Sequence, residues 1–166
     1  MARRRSRSWT PKTIPFGVLI LLLGAWAFFV PLVGGYFNFG FASNTKWDFS
    51  SRQWELQLAP GIAAALGGFM LMTPARGWSR LGALLAFLAG AWLASGWAFY
   101  PVWASGDLHP FGHPFMRGLR WLGHFEGPGG LVLLFTGATQ GLFMRRAIVE
   151  QAPPEPVATT QVTPPE

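Results

Sequence analysis

The stretch Gly24-Ala25-Trp26-Ala27-Phe28-Phe29-Val30 decides how the chain is read, because its opening returns later. Gly90-Ala91-Trp92 opens a second apolar run, and each Gly-Ala-Trp is followed by a Pro-Gly pair. Pro60 comes 36 residues after Gly24, and Pro128 comes 38 residues after Gly90. Repetition at this spacing marks one supersecondary unit used in tandem. The unit expected is a helical hairpin. The fold expected is an all-α membrane protein of four transmembrane helices arranged as two tandem hairpins, with an additional amphipathic helix at the outer interface.

Composition points the same way. Hydrophobic residues make up 51% of the 166 and charged residues only 12%, about half the roughly 25% usual in soluble domains. The formal charge is +6, yet binding nucleic acid requires a clustered basic face. Here the basic residues fall between apolar runs, so no nucleic-acid partner is expected. With no cysteine, disulfides and thiolate metal sites are excluded.

A helix crossing a bilayer needs about 20 apolar residues. Four runs approach this: residues 14–36, 56–73, 81–102 and 128–144. The second and fourth each begin near a Pro-Gly pair, where proline suits a first helical turn. Residues 1–13 form a basic N-terminus, 14–146 the transmembrane domain, and 147–166 a Pro-rich tail whose composition predicts disorder. The first run exceeds the 7–15 residues or so of a signal-peptide core, and its repeat partner downstream argues that it is retained.

Arg3, Arg4, Arg5, Arg7, Lys12, Arg76, Arg80, Arg145 and Arg146 fall on one side of this arrangement, and only Lys46, Arg52, Arg117 and Arg120 on the other. The bias of basic residues toward the cytoplasm then places both termini there, in the plasma membrane of a bacterium. No Asp, Glu, Lys, Arg or His lies inside a run. Intramembrane ionisable groups mark proton and ion paths, so ion-coupled transport is disfavoured.

The third run carries Gly82, Ala86, Gly90 and Ala94, and the fourth carries Gly137 and Gly141. Spaced by four, these small residues are expected to form smooth faces for close helix packing. The second outer loop holds Asp107, His109, His113, His124 and Glu126. Of these, Asp107, His109 and His113 are the candidate metal ligands, although Pro110, Gly112 and Pro114 keep the two histidines off one regular helical face. From Pro114 onward a helix is expected, with Arg117, Arg120 and His124 on one polar arc toward headgroups and water. Phe115, Met116, Leu119, Leu122 and Phe125 fall on its apolar side.

Gly24 through Gly34, the tryptophan-bearing loop after it and Pro60-Gly61-Ile62 together resemble the small bacterial integral membrane proteins with SPW repeats. Gly90-Ala91-Trp92 through Tyr100-Pro101-Val102-Trp103 resembles a second copy. Val30-Pro31-Leu32 and Tyr100-Pro101-Val102 stand where that family has Ser-Pro-Trp. The resemblance implies a two-helix unit in tandem with no assigned catalytic activity, and it implies no site residue.

The leading function expected is therefore a non-catalytic accessory or structural subunit that contacts membrane lipids and packs against another membrane protein or itself. No cofactor is expected. The alternative is a binder of a lipid or quinone-like molecule, with Pro31 and Pro101 opening a pocket. A lipid-acting enzyme would have to use Asp107, His109, His113 and Glu126.

Overall fold

The computed structural model describes residues 13–41, 46–105 and 109–151, with side chains up to Met144. Residues 1–12 of the basic N-terminus, 152–166 of the Pro-rich tail and Asp107 lie outside the described residues. Every element is helical. Helix α1 spans Ile14–Val33 and runs into a 3-10 turn, Gly34–Phe37. A short α2, Ser51–Gln53, continues through a π-turn, Trp54–Leu58, into α3, Ala59–Leu71. Helix α4, Arg76–Phe99, leads to a second 3-10 turn, Tyr100–Val102. Helix α5, Pro114–Trp121, passes through another π-turn, Leu122–Glu126, into α6, Gly127–Gln151. No strand occurs among the described residues. Two segments, Ile14–Phe37 and Arg76–Val102, are long and apolar enough to cross a membrane, with mean hydropathies of 2.5 and 1.6.

The four long helices form a closed ring, in which α1 packs on α3, α3 on α4, α4 on α6 and α6 on α1. The turn between α3 and α4 is short because Pro74 cannot continue the helix. The hydroxyls of Thr13 and Ser79 both donate to the Leu71 carbonyl, at 3.1 and 3.4 Å, and tie α1 and α4 to the end of α3. This is the turn end of the bundle. The opposite end carries both π-turns, α5 and the connections after α1 and α4, and is called the loop end below.

The repeated motif has a mechanical meaning. A Cβ on Gly24 would stand 2.4 Å from the Ala65 amide nitrogen and 2.7 Å from the Gly61 oxygen, both backbone atoms of α3. In the other hairpin a Cβ on Gly129 would stand 2.6 Å from the Ala94 nitrogen of α4. A Cβ on Gly61 would likewise stand 2.8 Å from the Phe28 nitrogen, so the glycine of each Pro-Gly pair passes the Gly-Ala-Trp helix of its own hairpin at backbone distance, the kind of approach that small residues permit.

The small residues of α4 do not serve one neighbour. A Cβ on Gly82 would meet the Gly67 oxygen of α3 at 2.7 Å, and Gly67 in turn abuts Ala86. Gly90 instead faces Val132 of α6, at 2.7 Å, and Ala94 lies against Gly129. Residues four apart advance by about 40° around a helix of 3.6 residues per turn. From Gly82 to Ala94 the row turns by about a third of a circle, enough to pass from α3 to α6. Gly137 and Gly141 depart from the expected groove, since a Cβ on either meets nothing within 4 Å. Among the described residues, no helix packs closely there. The hydroxyls of Thr136 and Thr139 bond carbonyls of α6 itself, at Val132 and Thr136, and so do not join helices.

Each Pro-Gly pair stands at the start of its α-helix, α3 at Ala59 and α6 at Gly127, but helical backbone already precedes it. Each proline follows a π-turn that carries the helix into it. In these turns the Ala59 amide donates to the Trp54 oxygen and the Gly127 amide to the Leu122 oxygen, five residues back in each case. The same pattern would next join residue 60 to Glu55 and residue 128 to Gly123, but a proline has no N–H to give. The two freed carbonyls are filled from the other hairpin. Trp92 Nε1 donates to the Glu55 carbonyl and Trp26 Nε1 to the Gly123 carbonyl, both at 2.9 Å. Each tryptophan of a Gly-Ala-Trp therefore caps the carbonyl that the proline of the opposite repeat leaves open.

Trp26→Phe and Trp92→Phe, which keep an aromatic ring and remove the donor, should each lower unfolding stability in detergent by about 1 kcal/mol, the usual worth of one hydrogen bond. In a Pro60→Ala background the residue-60 amide becomes available to Glu55, so Trp92→Phe should then cost much less. Equal losses in both backgrounds would refute the capping role.

Candidate functional site

The loop end contains the one concentration of buried polar chemistry among the described residues, and it begins with two histidine-loop positions predicted to face outward. Helix α5 starts at Pro114, where proline fits the first turn; it carries Arg117 and Arg120, and His124 follows in the π-turn. Arg117 is exposed and donates through Nε to the Gly112 carbonyl at 2.6 Å. Arg120 and His124 are 2% and 0% exposed. They point into the protein rather than toward headgroups, because the connection after α1 and the segment before α5 lie over them. The residues left outside are Phe115, Met116, Leu119 and Leu122.

Arg120 ties those two segments together. Its Nη2 donates to the Asn38 backbone oxygen at 2.7 Å and to Asn38 Oδ1 at 3.2 Å. Its Nη1 donates to the Phe111 carbonyl, and its guanidinium lies 4.0 Å from the centre of the Phe111 ring. The planar guanidinium makes this possible, since its donors point in fixed, divergent directions. Asn38 has a left-handed backbone with φ of 55°, which turns the chain there. Gly112, with φ of 102°, would place a Cβ 2.7 Å from Arg120 Nη1, so both its conformation and the neighbouring charge favour glycine. The Phe111 amide closes the set by donating to the Phe41 carbonyl at 3.2 Å.

His124 is held at both ring nitrogens. Nε2 lies 2.8 Å from the Phe39 carbonyl, and Nδ1 lies 2.9 Å from Gln57 Nε2. A carbonyl only accepts, so Nε2 carries the hydrogen and Nδ1 accepts from the Gln57 amide. The ring is stacked on Phe39 at 5.5 Å, with Phe41 at 5.4 Å. Phe41, Leu56, Tyr100 and Phe125 form a buried cluster beneath, flanked by Trp97 and Trp121. Burial, above all, lowers the His124 pKa from 6.5 to about 4, and the Arg120 charge adds to this against the Phe39 hydrogen bond.

The fold thus requires a neutral His124. Between pH 6.5 and about 4 the unfolded chain takes up a proton that the folded chain refuses. Stability contributed by this residue is present above pH 6.5 and declines as pH falls toward 4, by about 3 kcal/mol in all. Unfolding of the detergent-solubilised protein should show this slope, and His124→Gln should remove it. An unchanged slope in the variant would show that another group titrates.

His109 and His113 are exposed on the segment before α5, where the His113 carbonyl accepts from the Arg117 amide at 3.0 Å. Asp107 lies outside the described residues, and no three metal-ligating side chains gather among the described ones. The Glu126 carboxylate accepts from Trp121 Nε1 at 3.1 Å, and that of Glu55 from Trp103 Nε1 at 3.0 Å. Sequence reasoning missed Gln57, Asn38 and Phe111 as parts of the polar cluster. Only the polar Gln57 inside an otherwise apolar run signalled it.

A separate apolar hollow of about 390 Å³ opens at the loop-end half of α1, lined by Trp26, Phe29, Val30, Val33, Phe37 and Phe39 but not by Pro31. The class defined by these features is an all-helical bundle with two helices suited to a membrane and a buried polar latch at one end. Comparison with protein-family models, curated proteins and solved structures finds no match.

Proposed function

We propose that the chain is a four-span, non-catalytic accessory subunit of a bacterial plasma membrane, with both termini cytoplasmic, that packs against a larger membrane assembly. The observation that carries this reading is the inverted distribution of side-chain size. Gly24, Gly61, Ala64, Gly67, Ala83, Ala86 and Ala89 are buried, whereas Leu22, Phe29, Leu66, Phe69, Leu84, Leu88 and Leu134 are all more than half exposed. A soluble monomer rarely leaves large contiguous apolar surface bare. In lipid such residues lose little by facing outward, and small residues at helix contacts bring the backbones together.

The second span gains support from the run Ser51–Leu71, which is continuously helical through its π-turn and reaches roughly 30 Å at 1.5 Å per residue. The open face of α6 at Gly130, Gly137 and Gly141 supports a protein neighbour, because close-packing residues there meet nothing among the described residues. The tandem hairpin is the feature shared with the SPW-repeat proteins the chain resembles.

The test is extraction from native membranes in mild detergent, followed by mass and composition of the recovered complex. Stoichiometric recovery with a larger membrane protein, crosslinked through Gly137→Cys in this cysteine-free chain, supports the reading. Recovery as a bare monomer overturns it. A second reading, a binder of a lipid or quinone-like molecule, is favoured by the hollow at the loop-end half of α1, whose walls are aromatic and aliphatic. It predicts that such a molecule accompanies the monomer and is lost in Val30→Trp.

A further inference from the structure

At the turn end, far from the histidine cluster, a cleft of about 200 Å³ opens between α4 and α6. Arg80, Ala83, Leu84, Gln140, Phe143 and Met144 line it. Arg80 is exposed and Gln140 half-buried, and neither makes a hydrogen bond to another group among the described residues. The two helices run in opposite senses here, so Arg80 stands near the level of Met144 and Gln140 lies about one turn deeper, beside Leu84. One turn is about 5 Å along the axis. A cation at the mouth beside Phe143 and Met144, and an amide one turn below it beside Leu84, set two polar groups at different depths in an otherwise apolar cleft, an arrangement matching one class of molecule. Below the amide the wall of α6 stays open, since Gly137 has nothing within 4 Å of where a side chain would begin.

We infer that this cleft binds an anionic phospholipid of the cytoplasmic leaflet. The phosphate sits on the Arg80 guanidinium, whose paired N–H groups match phosphate oxygens. Phe143 flanks the headgroup, the Gln140 amide donates to an ester carbonyl, and an acyl chain runs from Leu84 toward Gly137. The assignment rests on the four-span reading, which puts Arg80 at the inner membrane surface, where anionic headgroups concentrate near basic residues. It also gives Gln140, unlike Thr136 and Thr139 without a hydrogen bond among the described residues, a partner within the fourth apolar run.

The experiment uses the full chain, reconstituted in vesicles of phosphatidylcholine and phosphatidylglycerol at four to one, extracted in mild detergent and weighed with its retained lipids. Wild type should keep one phosphatidylglycerol in preference to phosphatidylcholine. Arg80→Gln should reduce that retention about fivefold, the worth of one basic residue at an anionic surface, and Lys46→Gln at the loop end should not. Gln140→Leu should weaken retention of both lipids, which separates the ester contact from the charge contact. Retention by Arg80→Gln and Gln140→Leu equal to wild type overturns the site. Displacement of the lipid by inorganic phosphate alone would reassign it to a free anion. Alkaline carbonate washing of the wild-type vesicles tests the membrane reading separately: release of the chain refutes that reading, and the site with it, whereas a retained chain with an indifferent Arg80→Gln refutes the site alone.

Discussion

Gly24→Ala should separate the two helices of the first hairpin and lower unfolding stability by about 1–3 kcal/mol, the usual range for an overpacked contact. The added methyl would lie 2.4 Å from the Ala65 nitrogen and 2.7 Å from the Gly61 oxygen. These are backbone atoms on a rigid helix, and no rotamer change can move them aside. Gly129→Ala, whose methyl would meet the Ala94 nitrogen at 2.6 Å, should cost a similar amount in the second hairpin. Gly137→Ala provides the contrast, because nothing lies within 4 Å of its methyl. It removes the roughly 1 kcal/mol helix penalty of glycine and should leave the isolated chain as stable or more so. Denaturation in detergent, read by circular dichroism, distinguishes the three. A Gly24→Ala protein as stable as Gly137→Ala would refute the close crossing. If Gly137→Ala is harmless to the purified chain yet weakens its recovery with a larger complex, the open face of α6 is where the neighbour sits.

The repeat itself was legible in the chain, but its mechanical meaning was not. Gly24, Gly61, Gly90 and Gly129 mark two equivalent crossings, and apolar spacing alone indicates only that hairpins recur. That Trp26 and Trp92 serve the opposite hairpin depends on which carbonyl each proline frees. This in turn depends on the π-turns before Pro60 and Pro128, for which helical periodicity at 100° per residue has no signature. The same periodic reasoning placed Gly82 through Ala94 on one face, and the 40° advance at each step divides them between α3 and α6.

The candidate site shows a different limit. The arc of Arg117, Arg120 and His124 follows from spacing, and the helix is present where Pro114 begins it. Whether an arc faces solvent or other parts of the chain is not a local property. Asn38 and Phe39 lie more than 80 residues from Arg120 and His124, and they contribute backbone carbonyls, which leave no trace in residue type. An arginine that meets carbonyls is therefore indistinguishable in sequence from one that meets lipid phosphate, since both offer oxygens to the same guanidinium donors. The inversion also changes what the loop histidines can do. With both ring nitrogens of His124 engaged, no lone pair remains for a metal or a substrate proton.

Arg120→Met is the decisive variant for that distinction, because it keeps much of the side-chain length and removes every donor. The Asn38 and Phe111 carbonyls would lose their charged partner in a buried setting, and each unsatisfied group costs about 1–3 kcal/mol. The ring contact with Phe111 is lost as well. The combined expectation is a loss of several kcal/mol, concentrated at the loop end. Hydrogen exchange should rise at Phe39 and Phe111 while the crossing at Gly24 stays protected. Arg120→Lys keeps the charge but not the fork, and one ammonium on a flexible stem holds two separate segments poorly. It should therefore recover only part of the loss. Arg117→Met removes a single exposed contact to Gly112 and should fall within about 0.5 kcal/mol of wild type, as exposed substitutions usually do. Were Arg120 a headgroup contact instead, Arg120→Met would match Arg117→Met in stability and would alter only retention of anionic lipid. The buried fork predicts the reverse order, with stability lost and the Arg80 lipid retained.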